Sequence, residues 1–221
     1  MKIPSFKTDK ELFDFLVDKE DDIFYSKKAT IKHADGFSGL AITLNNLDTT
    51  KSQESVNTDE IKVKAVINTT NLLDSHRDVH IKGLWDKSLA ENKRIKHLQE
   101  HKMAFDKIIA DKDDLKAYVK TYTWKQLGYD VEGKTQALVF DSIVKRERNS
   151  FMFEQYQKSI VDNHSVGMRY VKLVTCINNE DYGKQYEAWQ KYSEHVANKA
   201  ELEKSKYFWA ILEAKAIEGS A

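Results

Sequence analysis

Thr8 stands three residues before Glu11, at the spacing of a capping box, and Leu12, Phe13, Phe15 and Leu16 follow; this predicts a short amphipathic helix. Residues 45–60 are polar and poor in large side chains, which predicts a loop or linker. Ile61, Val63, Ala65 and Ile67 then alternate with mostly polar neighbours, the two-residue period of a strand. Gly83 to Arg94 reads as a helix carrying Leu84, Trp85 and Leu89, while 115–123 and 136–141 alternate as strands, with Leu127 to Asp130 in the connection between them. Asn149 or Ser150 is placed to cap a helix running to Ile160 with Phe153, Tyr156 and Ile160 on one face. Ser165 to Val174 reads as a strand with Val166, Met168, Tyr170 and Val174 on one face. Asp181 to about Lys204 reads as one long helix with an aromatic stripe, and Tyr207 to Ile217 as a closing strand.

Strands outnumber helices in the middle of the chain, and helices do not regularly follow strands, which argues against a doubly wound parallel sheet. The expectation is an α+β fold with an antiparallel sheet or small barrel at its centre. A chain of 221 residues suits one domain with elaborations. The pattern divides it into 1–60, an N-terminal helix and polar linker, and 61–221, the main domain with a helical insertion at 181–204. No internal repeat is found, and with a single proline the chain is punctuated by Gly, Asn and Asp.

Composition narrows the class. Hydrophobic residues make up 41% and charged residues 32%, as in soluble globular proteins. Lys plus Arg and Asp plus Glu number 35 each, so no net field gathers nucleic acid. The single cysteine, Cys176, excludes an intrachain disulfide and fits a reducing compartment. No apolar run approaches the roughly 20 residues of a membrane helix, and the first residues lack the apolar stretch of a secretory signal. Cytosolic synthesis is expected.

Three stretches carry candidate chemistry: 74–85, from Asp74-Ser75-His76-Arg77-Asp78 to Gly83-Leu84-Trp85; 95–101, ending Glu100-His101; and His164-Ser165-Val166-Gly167-Met168, with Leu212-Glu213 in the last strand. In order and character they resemble the prohead (capsid maturation) serine proteases of tailed bacteriophages. The resemblance runs from about Asn68 to Ala221. It implies His101 as catalytic histidine and Ser165 as nucleophile. It also implies a small β-barrel core surrounded by helices, as in the related herpesvirus maturation proteases. The implied substrates are scaffold and major capsid protein segments inside an immature procapsid in the host cytoplasm, with self-cleavage. No cofactor is implied, and a homo-oligomer is compatible with the sequence.

The residues support a chemical argument of their own. A serine hydroxyl needs a base within hydrogen-bonding reach, usually a neutral imidazole. On a strand Ser165 points away from Val166 and Met168, and Gly167 clears its face for a substrate backbone. The surroundings are not a G-x-S-x-G elbow. Glu213, opposite in face to Leu212 and Ala214, is expected to orient His101. His195, among polar neighbours on the long helix, is the rival, and His164 points to the other face. Arg169 is a candidate for substrate or an oxyanion-hole water. Two other readings compete. His97-x-x-Glu100-His101 spells an H-x-x-E-H zinc-peptidase pattern, with His76 and His80 repeating the i, i+4 spacing. A capsid- or scaffold-associated structural protein without activity would share the same composition and helices.

Overall fold

The structure, a computed structural model, describes residues 3–34 and 59–221. The polar linker expected at 45–60 lies outside the described residues as far as residue 58. Six α-helices are described: α1 (Asp9–Asp18), α2 (Glu20–Ala29), α3 (Asp86–Glu91), α4 (Ser150–Gln157), α5 (Gly183–Ser193) and α6 (Lys199–Ser205). The nine described strands are β1 (Lys32–Ala34), β2 (Glu60–Thr69), β3 (Asp78–His80), β4 (Lys96–Leu98), β5 (Ile108–Ala110), β6 (Leu115–Thr123), β7 (Lys134–Lys145), β8 (Ser165–Ile177) and β9 (Tyr207–Ser220). The fold is therefore mixed α+β.

The local signals act as their chemistry requires. Thr8 caps α1 in a complete capping box: Glu11 N–H donates to its hydroxyl at 3.2 Å, and its own N–H donates to the Glu11 carboxylate at 3.2 Å. Asn149 caps α4 by accepting from Met152 N–H at 3.0 Å. The expected helix from Gly83 is confined to α3, because Gly83 takes φ +93°, outside helical geometry.

The long helix expected at 181–204 is two helices. Between them the chain turns inward to bury Val196, and the Asn198 side chain both accepts from Leu73 N–H and donates to Leu73 C=O at 2.9 Å. That side chain imitates a strand neighbour, and Ala197 N–H adds a bond to Asn71 C=O at 2.8 Å. A continuous helix would forgo all three. The aromatic stripe packs inward, with Trp189 against Phe208 at 5.3 Å.

The core is not a closed barrel. One sheet has the order β1-β8-β9-β4-β5 with β3 also on β9; the other is the antiparallel set β2-β7-β6. Nor is it purely antiparallel, since β3 and β4 both run parallel to β9. The two sheets are joined by side chains: Ile67, Leu138 and Phe140 of one meet Val166, Met168 and Ala216 of the other in a single buried cluster. Gly219 of β9 marks how closely they approach, since a Cβ there would lie 2.5 Å from the Phe140 ring.

Polar groups are buried between these elements in connected sets. Lys27 of α2 pairs with Asp78 of β3 at 2.5 Å. Tyr170 of β8 donates to the same carboxylate at 2.9 Å, and His80 links Tyr170 to Asn68 of β2. Across the molecule Ser142, His97, Tyr156 and His164 form a second chain at 2.9, 3.1 and 2.8 Å. Burial pushes His80 and His164 down to about 4 and His97 well below its usual 6.5. Asp74 moves the other way, up to about 6, again chiefly through burial.

A histidine held neutral in the fold but free to protonate when unfolded stabilises fully above about pH 6.5, and that contribution is lost as pH falls toward the folded value. Asp74, raised, opposes this between its ordinary 3.8 and about 6. Three histidines outweigh one carboxyl, so the unfolding free energy measured by urea titration falls between pH 7 and pH 4.5. Equal stability at the two pH values would contradict the buried-neutral assignment. Lys27→Ala leaves Asp78 buried without its cation and costs about 3 kcal/mol in the same measurement; a loss below about 1 kcal/mol, as for a surface pair, would refute it.

Candidate active site

The register of three neighbouring strands builds the site. His33 of β1 lies opposite Gly167 of β8, and Gly167 lies opposite Glu218 of β9. Directly paired residues share a face, so two side chains converge over a position that has none. A Cβ on Gly167 would fall 1.9 Å from Glu218 Oε1, which only glycine permits. The space expected to admit a substrate backbone is filled by the carboxylate.

A bulge aims Glu218. Met168 pairs with Ala216 and Gly167 with Glu218, leaving Ile217 as the extra residue. Ala214 and Ala216 face the core, and strict alternation would send residue 218 there too. The bulge reverses the parity, so Gly219 points into the core and Glu218 and Ser220 point with Ser165 and Gly167.

His101 comes from the turn after β4. Parallel pairing of β4 with β9 puts Leu98 beside Ser220. The chain then bends through Glu100 (φ +53°) and His101 (φ +56°), two consecutive non-glycine residues in the left-handed region, at a cost on the order of 1 kcal/mol each. Backbone bonds hold the bend: Glu100 N–H donates to Ala221 C=O and Lys102 N–H to Gln99 C=O. His101 N–H donates to Ser220 Oγ at 2.8 Å, and that hydroxyl donates to Leu98 C=O at 3.0 Å.

The result is a hydroxyl–imidazole–carboxylate chain. Ser165 Oγ lies 2.5 Å from His101 Nε2, and His101 Nδ1 lies 2.6 Å from Glu218 Oε1. Glu218 is only 3% exposed, and its Oε2 is buried without a hydrogen-bond partner among the described residues. The His33 ring lies against that of His101, 4.0 Å between centroids and tilted by 51°, with its Nδ1 3.9 Å from Glu218 Oε1. A groove of about 400 Å³ opens beside the serine, with His101, Asp162, Asn163 and Ser220 in its wall. In this order a carboxylate accepts a hydrogen bond from Nδ1–H, fixes the tautomer with a lone pair on Nε2, and lets the imidazole take a serine proton.

The structure brings Ser165 and His101 together and leaves Glu213 out. Glu213 is five residues, roughly 16 Å along an extended strand, from Glu218, and pairs with Lys87 of α3 at 3.3 Å. The carboxylate that meets His101 Nδ1 is that of Glu218. His195 is exposed beside Glu194 at 3.1 Å, and His164 faces Tyr156 behind the serine. Arg169 is exposed, opposite Lys215.

The H-x-x-E-H stretch is not helical. His97 is buried against Ser142 and Tyr156 while Glu100 is exposed beside Lys102, so the three do not converge. His80 is buried and His76 exposed, and they share no site. Two residues escaped sequence reasoning. Glu218 had one signal, a carboxylate at a core-parity position after Ala214 and Ala216. His33, in a three-residue strand, had none.

No family model, curated protein or solved structure matches the chain.

Gly167→Ala displaces the Glu218 carboxylate from His101. The strongly deshielded Nδ1 proton of His101, sought by NMR in the parent protein, disappears in this variant; an unchanged resonance would show that Glu218 is not held over Gly167.

Proposed function

We propose that this protein is a serine endopeptidase of the tailed-phage prohead type, with Ser165 as nucleophile, His101 as base and Glu218 as the group that orients the base. The observation that carries the reading is the continuous Ser165–His101–Glu218 chain at 2.5 and 2.6 Å, open to a groove at the serine end. The resemblance of the 74–85, 95–101 and 164–168 stretches supplies the family. On that reading the fold is a variant of the herpesvirus-protease arrangement with its barrel left open. The substrates are scaffold and major capsid protein segments within a procapsid in the host cytoplasm, together with the chain itself.

The chemistry follows from the proton positions. Ser165 Oγ attacks the scissile carbonyl carbon as its proton passes to His101 Nε2, and the imidazolium is stabilised by Glu218. His101 then protonates the leaving amine, giving an acyl-serine and the first product. Water enters, loses a proton to His101 and releases the second product, returning the serine proton. Burial of Glu218 strengthens its attraction for the imidazolium, since little water screens it. No step needs a cofactor.

Cleavage of a scaffold-protein substrate by purified variants tests the reading. Ser165→Ala and His101→Ala fold and do not cleave. Glu218→Gln loses on the order of 10⁴ in kcat, the scale for removing the carboxylate of such a chain, whereas Glu213→Gln stays within about threefold because it loses only a half-exposed ion pair. Cleavage by Ser165→Ala at the parent rate would sink the proposal. A severe loss in Glu213→Gln with none in Glu218→Gln would return the orienting role to Glu213.

A further inference from the structure

The same strand register that aims Glu218 at His101 assembles a set of donors the peptidase chemistry does not require. His33, His101 and Glu218 each present a ligating atom, and these atoms all lie within 4.8 Å of one another. Two imidazoles and one carboxylate are a donor set suited to zinc, with bonds of about 2.0–2.2 Å and a fourth position left for water. Tetrahedral ligands at those distances stand roughly 3.4 Å apart. The pair His33 Nδ1 to Glu218 Oε1, now 3.9 Å, would close slightly, and His101 Nδ1 to Glu218 Oε1, now 2.6 Å, would open. Both changes are under about 1 Å, within side-chain adjustment.

Two features favour a cation here. Glu218 is 3% exposed with Oε2 lacking a hydrogen-bond partner among the described residues, so a buried carboxylate retains acceptor capacity. The His33 side chain is 48% exposed, which leaves the site a way in from solvent.

We propose that His33, His101 and Glu218 bind one divalent transition-metal cation of the zinc type, and that its occupancy switches Ser165 off. The switching half rests on the peptidase reading above; the binding half does not. When the metal takes the Nδ1 lone pair of neutral His101, the proton formerly on Nδ1 is carried on Nε2. Nε2 then has an N–H and no lone pair toward Ser165 Oγ, so the base is lost while serine and histidine stay in place. The Glu218 carboxylate, shared with the metal, also stops favouring the imidazolium. His33 supplies the ligand that distinguishes this cluster from an ordinary serine–histidine–carboxylate chain.

Binding is measured first on Ser165→Ala, which keeps all three ligands. Isothermal titration with Zn²⁺ is expected to give one ion per chain. Adding His33→Ala, or His33→Gln should the alanine variant not fold, weakens it at least about tenfold, since losing even a ligand's supporting contact costs 10–100-fold. His195→Ala, a surface histidine, leaves it unchanged. No saturable uptake, or equal uptake without the His33 imidazole, overturns the site. Cleavage by the otherwise unaltered protein is then followed against free Zn²⁺ and a chelator. Activity lost with the binding isotherm and restored by chelation supports the switch. In His33→Ala, inhibition relative to that variant's own metal-free rate requires at least about tenfold more Zn²⁺. Unchanged or increased activity at saturation overturns the switch. Zinc uptake by Ser165→Ala alongside a parent protein that cleaves nothing even when kept metal-free by chelator supports the metal site and removes the peptidase reading, so the two failures are distinct.

Discussion

The antiparallel pairing of β8 with β9, and the extra residue Ile217 that interrupts it beside the serine, is the constraint on which the site depends. Without the bulge Glu218 would follow Ala214 and Ala216 into the core, and a carboxylate buried among apolar side chains costs several kcal/mol. With it, the carboxylate turns to the serine face while Gly219 takes its place against Phe140 and Ile67. Two glycines make the arrangement possible from opposite sides of the sheet. Gly167 admits the Glu218 side chain, and Gly219 admits the other sheet.

The rest of the molecule holds this short stretch in place. β4 runs parallel to the end of β9 and delivers His101 through a left-handed turn anchored by Ser220. Behind the serine, the buried chain from Ser142 through His97 and Tyr156 to His164 ties the second sheet and α4 to the first residue before β8. On the far side, Lys27, Asp78 and Tyr170 fix α2 to the strands. Partly unsatisfied polar networks are costly, so their close pairing specifies how the layers dock. A stiff surround of this kind is what a proton relay needs, because a displacement near 1 Å can cost about 10²-fold in rate.

Much of this was legible in the sequence, for identifiable reasons. The capping box at Thr8, the alternation in β2, β6, β7 and the first half of β8, and the Asn149 cap are local signals with local causes; beyond Tyr170 the pairing shifts, so Leu173 and not Val174 joins the face of Val166 and Met168. Ser165 and His101 were singled out through a pattern spread over the chain, and the fold places them 2.5 Å apart. What failed was what depends on pairing. The closing strand was read to Ile217, one residue short of the carboxylate that matters, and alternation from Leu212 pointed to Glu213 because a bulge has no period. The break between α5 and α6 is invisible to periodicity, since Asn198 stays outside both helices to bond Leu73, 125 residues away. β3 and β4, three residues each, are strands because of their neighbours, β9 for the first and β9 and β5 for the second.

The central claim is that Ser165 is a serine activated through His101. A fluorophosphonate probe reacts fastest with such a hydroxyl, and peptide mass spectrometry locates the modified residue. The account predicts stoichiometric labelling at Ser165, abolished in His101→Ala while circular dichroism shows that the variant is folded. A parent protein that remains unlabelled at Ser165, or one whose labelling survives removal of the imidazole, would contradict it.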